Sequence, residues 1–170
     1  MQKVAIEDVE TVPHFMGANT TRRPLSRAIE EMGFATTYFE LDTGEAFSGG
    51  LHTHRDQEEL FYILEGVATF EVREQPGGPS ESIDVSASEA IHFGREDVYQ
   101  TGGNESEKPV VGIAIGVPGA RHDWEGVEAV LDCGECDRET AHSTVLAGEA
   151  TRMPDAEEIV VTCRECGTEA

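Results

Sequence analysis

The sequence predicts an all-β protein in which a jelly-roll barrel is followed by a small metal-binding unit. Residues 34–117 contain short runs of β-branched and aromatic side chains that alternate with turn signals, with little helical periodicity. About eight strands in roughly 85 residues are typical of a compact antiparallel barrel or jelly roll. After Pro118 and Gly119, two Cys-x-x-Cys pairs bracket 26 residues. We therefore divide the chain into an N-terminal arm (1–33), a barrel (34–120), a linker (121–130) and a tail (131–170).

Local signals support the individual elements. Strands are predicted at residues 34–41, 60–64, 67–72, 82–85, 90–93 and 109–117 of the barrel, and at 141–146 and 158–162 of the tail. Turns are expected at Thr43-Gly44, Glu65-Gly66 and the Pro-Gly-Gly-Pro loop 76–79. In the arm, residues 25–32 form either a short helix that ends at Gly33 or part of an edge strand.

The charge balance excludes one large class of partners. The chain carries 34 acidic against 12 basic side chains, which gives a formal net charge of −22, and the carboxylates are spread from Glu7 to Glu169. Such a surface repels phosphates, so no electrostatic nucleic-acid binding is expected. The composition resembles that of proteins from salt-loving archaea, the haloarchaeal type, and an acidic mesophilic protein is the alternative.

Apolar segments are too short for a membrane protein. We find no run of the roughly 18 to 20 apolar residues that would span a bilayer. The first ten residues contain Glu7, Asp8 and Glu10 and lack the apolar centre of a secretion signal. A cytoplasmic protein without a membrane partner is therefore expected. In such a chain, paired cysteines indicate a metal site rather than disulfides.

The most informative barrel segment is His52-Thr53-His54, followed by Glu59 and Gly66. In an extended strand, residues i and i+2 share a face, so the two imidazoles can converge on one ion. After a turn, Glu59 begins an antiparallel neighbour and completes three ligands to a divalent metal. Period two then places Phe61 and Ile63 inward as the apolar lining of the site.

The same alternation assigns the neighbouring side chains. Glu58 faces away from the site, and Leu60, Tyr62 and Leu64 are expected to pack between the sheets. The remaining histidines have no ligand spacing of their own. We interpret His92 as structural or outward-facing, with a substitute ligand as the alternative, and expect His14, His122 and His142 to be exposed.

The spacing His52-x-His54-x4-Glu59-x6-Gly66 resembles the first motif of the cupin superfamily, small β-barrels that hold a metal with two His, a Glu and a third His. The resemblance covers about half of the chain, residues 34–117. It implies a third histidine, as the fourth ligand, four residues before Asn104, where this sequence has Gln100 instead. An amide oxygen binds metals more weakly than imidazole does, so we expect a barrel site of His52, His54, Glu59 and Gln100 with reduced affinity. This ligand set suits Fe, Mn, Ni or Zn.

The tail cysteines predict a second, structural metal site. Cys133 and Cys136 form one pair, and Cys163 and Cys166 form the other. Two such knuckles complete the tetrahedron that Zn(II) prefers, and the spacing is similar to that of a zinc ribbon. All four positions are filled by protein, so we expect a structural zinc ion. A redox role for one pair is the alternative.

The cupin resemblance leaves two functions open. One is a small-molecule metalloenzyme of the dioxygenase or isomerase type, with Gln100 as a fourth ligand or as a group that orients the substrate. The alternative is a non-catalytic module that binds a small ligand and whose zinc ribbon contacts a protein partner. Cupin barrels commonly pair, so a homodimer is consistent with the resemblance, with the N-terminal arm as an exchanged element.

The acidic composition predicts that stability depends on salt. Raising KCl from dilute to molar concentration should raise the thermal midpoint by at least about 5 °C, since screening removes the repulsion among carboxylates. A melting curve in each salt concentration measures this, and a sucrose series of matched osmolality controls for solute exclusion. A midpoint that does not change with KCl would favour a mesophilic origin.

Overall fold

The computed structural model describes residues 1–14, 16–120, 123–146 and 158–170. Its strands are β1 (Thr21–Pro24), β2 (Ala35–Leu41), β3 (His52–His54), β4 (Glu58–Glu65), β5 (Val67–Arg73), β6 (Glu81–Ser86), β7 (Ala90–Phe93), β8 (Tyr99–Gly103), β9 (Val110–Val117), β10 (Val127–Cys133), β11 (Arg138–Leu146) and β12 (Ile159–Cys163). The short helix α1 spans Leu25–Ala28, and single 3-10 turns lie at Ile6–Asp8 and Trp124–Gly126. Within these described ranges, no helix has the length and apolar character needed to cross a membrane.

The strands form two antiparallel sheets around a shared core. One sheet has the order β1-β2-β9-β4-β7, and the other has the order β12-β11-β10-β3-β8-β5-β6. Apolar side chains from both sheets pack together in one cluster, which includes Phe61 from β4 and Phe70 from β5. Phe47, from the loop after β2, lies at the centre, with its ring centroid 5.1 Å from Phe61 and 5.8 Å from Phe70. These aromatic contacts hold the two sheets face to face.

The predicted all-β architecture is confirmed, but the barrel is not closed. In the described part of the chain, no strand ladder joins one sheet to the other. The chain passes from one sheet to the other at Gly66, which alone separates β4 in the first sheet from β5 in the second. Its φ is +80°, and a Cβ there would lie 2.5 Å from the carbonyl oxygen of Pro109. The predicted Glu65-Gly66 turn therefore moves the chain between sheets instead of joining hairpin partners.

Most strands agree with their local sequence signals. Eight strands, β2 to β9, lie within residues 34–117, as predicted. In the arm, β1 pairs with β2 as an edge strand, and the helix expected over residues 25–32 is limited to α1. Strands β8 and β10 have no predicted counterpart. Their sequences, Tyr-Gln-Thr-Gly-Gly and Val-Glu-Ala-Val-Leu-Asp-Cys, lack clean apolar alternation, so their pairing partners determine their conformation.

Strand β10 joins the tail to the barrel sheet. It pairs with β3 on one side and with β11 on the other, and β11 pairs with β12. Residues 127–130, which the sequence analysis assigns to a linker, form the first half of this strand. The predicted domain boundaries stay a prediction, but the hydrogen-bonded ladder is continuous from the cysteine pairs to the histidine strand.

The outward face of β4 differs from the prediction. Phe61 and Ile63 are buried as expected, but Tyr62 and Leu64 are 37% and 39% exposed. They do not pack between the sheets, because alternation turns them to the outer face of the five-stranded sheet. The core is instead filled by the opposite face of β4 and by aromatic residues from β5 and β7.

Replacing the crossing glycine should destabilise the fold more than replacing a loop glycine. Gly66→Ala and Gly77→Ala both place a side chain at positive φ, which costs on the order of 1 to 2 kcal/mol. At Gly66 the new Cβ also meets Pro109, which adds about 1 to 3 kcal/mol, whereas nothing lies within 4 Å at Gly77. Urea unfolding in molar KCl measures both losses. Equal losses would contradict the close approach at Gly66.

Candidate functional site

Three side chains converge in the space between the two sheets. His52 and His54 lie on β3, and Glu59 lies on β4 of the facing sheet. The Nε2 atoms of His54 and His52 are 3.4 Å and 3.9 Å from Glu59 Oε2. One ligand atom from each of the three residues lies within 4.8 Å of the others. The two imidazoles and the carboxylate are therefore placed to share one metal ion.

Glu59 reaches the histidines by a different route from the one expected. The sequence analysis places it on an antiparallel neighbour of the histidine strand, which is wrong. Strand β3 pairs with β8 and β10, whereas β4 pairs with β7 and β9. The crossing is held by Gln57, whose Nε2 donates to the carbonyl oxygens of Pro118 and Gly119 at 2.5 Å and 3.0 Å. The site consequently depends on the spacing between the sheets.

The ring of His52 is oriented for metal binding. Its Nδ1 lies 2.8 Å from the carbonyl oxygen of Gly50, which can only accept, so Nδ1 carries the proton and Nε2 keeps its lone pair. Burial, and then the neighbouring His54, lower the pKa of His52 against the opposing effect of Glu59. A lowered pKa keeps the imidazole neutral, which is the state that binds a metal.

Gln100 lies beside the three ligands. It is 2% exposed and is the partner of His52 in the β3–β8 ladder. Its Nε2 donates to Glu59 Oε2 at 2.8 Å and lies 3.4 Å from His52 Nε2. Its Oε1 is buried and has no hydrogen-bond partner in the described chain. Exchanging the two ends of this amide would present the oxygen to an ion held by the histidines and Glu59, so the donor set fits a divalent metal.

The space beside these ligands is small. A cavity of about 10 Å³ is lined by Thr53, His54, Gln57, Glu59, Phe93, Gly94, Val98 and Gln100. This volume corresponds to about one water molecule or ion. The apolar walls are Phe93 and Val98, which the sequence analysis does not single out, although Phe93 is the ladder partner of Glu59. The predicted lining residue Phe61 lies behind Phe93, with ring centroids 6.2 Å apart.

Glu58 and His92 lie outside the site. Glu58 Oε2 is 3.2 Å from His92 Nε2, and both side chains are about half exposed. This agrees with the prediction that Glu58 faces away. It also agrees with the outward-facing interpretation of His92.

Two other histidines are more buried than expected, and one lies outside the described residues. His142 on β11 is 0% exposed, so the prediction that it is exposed is wrong. His14 is partly buried, and a Cβ at Gly49 would lie 2.8 Å from its ring. Burial, then Arg22 and then His52 lower the pKa of His14 to about 4. No pattern in the sequence predicts that His14, in the N-terminal arm, lies next to Gly49. His122 is the histidine outside the described residues.

The four cysteines form a second cluster at the end of the seven-stranded sheet, beside β10, β11 and β12. Cys133 Sγ is 3.6 Å from Cys166 Sγ, and Cys136 Sγ is 4.0 Å from Cys163 Sγ. These distances are much longer than the roughly 2.05 Å of a disulfide. A tetrahedral zinc with bonds of about 2.3 Å separates its sulfurs by about 3.8 Å. The thiol arrangement therefore fits a single tetrahedral ion.

Hydrogen bonds already favour thiolate at one of these cysteines. Thr140 Oγ1 lies 3.3 Å from Cys163 Sγ, and the backbone of Cys166 also contributes. Together they lower the pKa of Cys163 to about 5. A thiolate is the form that binds zinc.

Comparison with known proteins agrees with this geometry. Residues 37–116 match a family model described as "Cupin domain". One similar solved structure is that of a Silicibacter pomeroyi protein described as a sugar phosphate isomerase from a cupin superfamily. It aligns with a TM-score of 0.60 at 17% identity, covering 98% of this chain and 95% of that chain. A cupin protein from Bacteroides fragilis aligns with a TM-score of 0.52 at 20% identity, covering 69% and 83%. The curated proteins gave no sequence match.

At these identities the solved structures show the shared fold alone. The family match begins within β2 and ends within β9, and it therefore includes both histidines, Glu59 and Gln100. The structural alignment with the Silicibacter pomeroyi protein extends over nearly the whole chain. The chain thus matches a cupin domain model over residues 37–116 and shares its fold with these two solved structures.

Proposed function

We propose that the protein is a metal-binding cupin whose barrel ion serves a small-molecule reaction of the dioxygenase or isomerase type. The observation that carries this proposal is the convergence of His52, His54 and Glu59 within 4.8 Å of one another. In this proposal Gln100 is the fourth ligand or orients the substrate. The ligand set suits Fe, Mn, Ni or Zn, and such an ion would polarise a carbonyl or bind dioxygen beside a small substrate.

The residues of the chain have distinct roles in this proposal. Gly50 holds His52 in the tautomer that leaves Nε2 free for the ion. Phe93 and Val98 exclude water from the cavity. Because the cavity has the size of a single ion, a substrate approaches from outside it and reaches the ion with one small donor group. Sugar phosphates are the first substrates to test, since the similar Silicibacter pomeroyi protein is named as a sugar phosphate isomerase.

A non-catalytic module is the second candidate, and the observation that favours it is Gln100. A buried amide that donates to Glu59 at 2.8 Å is a weaker ligand than the third histidine of the family motif. In this alternative the barrel captures a small ligand and the cysteine unit contacts a protein partner. Oxygen uptake by the Fe(II)-loaded protein and NMR of sugar phosphates separate the candidates, because the non-catalytic module shows binding without turnover.

We further propose one structural Zn(II) at Cys133, Cys136, Cys163 and Cys166. The sulfur separations of 3.6 Å and 4.0 Å support it. All four positions of a tetrahedron are occupied by cysteine, so this ion has a structural role. The described part of the tail has few buried apolar residues, so an ion is important for its stability.

Removing one barrel ligand should empty one metal centre only. His54→Ala is expected to lower the metal content from two ions per chain to one, because loss of one of three strong ligands abolishes retention. Elemental analysis of protein purified in molar KCl measures this. His92→Ala is the matched control, since His92 pairs with Glu58 at the surface and should leave both ions bound. Two ions retained in His54→Ala would refute the barrel assignment.

Restoring an imidazole should tighten the barrel site. Gln100→His places a nitrogen ligand beside His52 and Glu59, and Ni(II) affinity should rise by about 10-fold or more because Ni(II) prefers imidazole. Calorimetric Ni(II) titration measures the change. Thr101→His is the control, since alternation along β8 turns the next side chain to the opposite face. If both variants bind Ni(II) like the wild type, Gln100 is not within reach of the ion.

A further inference from the structure

Glu128 is a buried carboxylate on the strand that joins the two candidate metal centres. It lies on β10 and is 5% exposed. Its Oε2 accepts hydrogen bonds from Arg55 and Arg164, and its Oε1 accepts one from the hydroxyl of Tyr99. A carboxylate with this little exposure is stable only while such partners are in place.

The three partners are adjacent in sequence to metal ligands of both centres. Arg55 follows His54, and Tyr99 precedes Gln100. Arg164 follows Cys163 within the second cysteine knuckle. The contacts of Glu128 therefore connect this knuckle with the two strands that present the histidines and Gln100.

The backbone supports the same connection. Glu128 is the ladder partner of Thr53, which lies between His52 and His54. The same strand ends at Cys133, the first ligand of the cysteine cluster. A displacement of β10 would therefore move residues of both centres.

An ion at the cysteines would fix the knuckle that carries Arg164. The Arg164 N–H donates to the carbonyl oxygen of Ala141 at 2.9 Å, and the Gly167 N–H donates to Cys163 at 2.9 Å. Without an ion, no metal bonds hold the four sulfur atoms together, so the knuckle loosens. Arg164 would then leave a buried carboxylate with one cation fewer, which destabilises the register of β10 against β3.

We propose that the two metal centres are thermodynamically coupled, with Glu128 as the positioning residue that links an ion at the four cysteines to tighter metal binding in the barrel. This inference rests on the proposed function, because it requires both centres to bind metal. Coupling of this kind is reciprocal, so the barrel ion tightens metal binding at the cysteines by the same factor.

The experiment loads each centre with a metal that has its own signal. Cd(II) is soft and enters the thiolate site, where absorption from sulfur-to-metal charge transfer reports its binding. Mn(II) prefers oxygen and nitrogen ligands and is titrated into the barrel by EPR. The full chain in molar KCl is stripped under reducing conditions and titrated with Mn(II), with and without one equivalent of Cd(II).

The wild type should bind Mn(II) at least about 5-fold more tightly when Cd(II) is present, which is within the usual range of coupling between sites. Glu128→Gln and Arg164→Gln should remove most of this difference while the charge-transfer band persists. Arg138→Gln is the matched control, since Arg138 pairs with Glu165 at the surface of the same unit, and it should retain the full difference.

Two results overturn the coupling while leaving the metal centres intact. One is equal Mn(II) affinity with and without Cd(II) in the wild type, and the other is full coupling in Arg164→Gln. If the stripped chain does not fold, the Cd(II)-loaded variants decide the question, because uncoupled Arg164→Gln should bind Mn(II) at least about 5-fold more weakly than Arg138→Gln. Failure of a metal centre looks different. No charge-transfer band would refute the cysteine site, and no Mn(II) binding in any state would refute the barrel site of the proposed function. Either result would also overturn the coupling.

Discussion

The pairing of the three-residue strand β3 with β8 and β10 is the constraint on which the rest of the structure depends. This strand carries both histidines, and its two neighbours supply Gln100 on one side and the start of the tail on the other. A strand of three residues has few hydrogen bonds of its own, so its position is determined by its partners. The ladder His52–Gln100 places a polar amide beside the two histidines, where its Nε2 donates a hydrogen bond to Glu59.

A second constraint is the spacing of the two sheets. Glu59 meets the histidines only because β4 faces β3 across the core, and the aromatic cluster around Phe47 sets that separation. The chain crosses between the sheets at Gln57, whose amide is held by two carbonyl groups, and again at Gly66. The apolar core and the polar site are therefore parts of one packing arrangement.

Several of the few basic residues form ion pairs that connect strands of the seven-stranded sheet. Against a net charge of −22, Arg55, Arg73, Arg138 and Arg164 form ion pairs on the seven-stranded sheet and the adjoining cysteine unit. Arg73 connects Glu71 with Glu139 across the sheet, and Arg55 and Arg164 meet at Glu128. These contacts join barrel and tail strands that the sequence alone suggests are separate units. Because these ion pairs are partly buried, solvent and salt screen their attraction less than that of fully exposed pairs.

Local sequence patterns determined the all-β class, most strand positions, the three side chains that converge between the sheets and the four clustered cysteines. The physical reason is that strand alternation, turn glycines and the paired cysteine spacing act over a few residues and leave a direct mark in the sequence. Only the tertiary structure decided that Glu59 comes from the opposite sheet, that β10 continues the barrel sheet, and that Glu128 is buried among Arg55, Tyr99 and Arg164. These features depend on which distant strands become neighbours, and neither spacing nor local propensity encodes that choice.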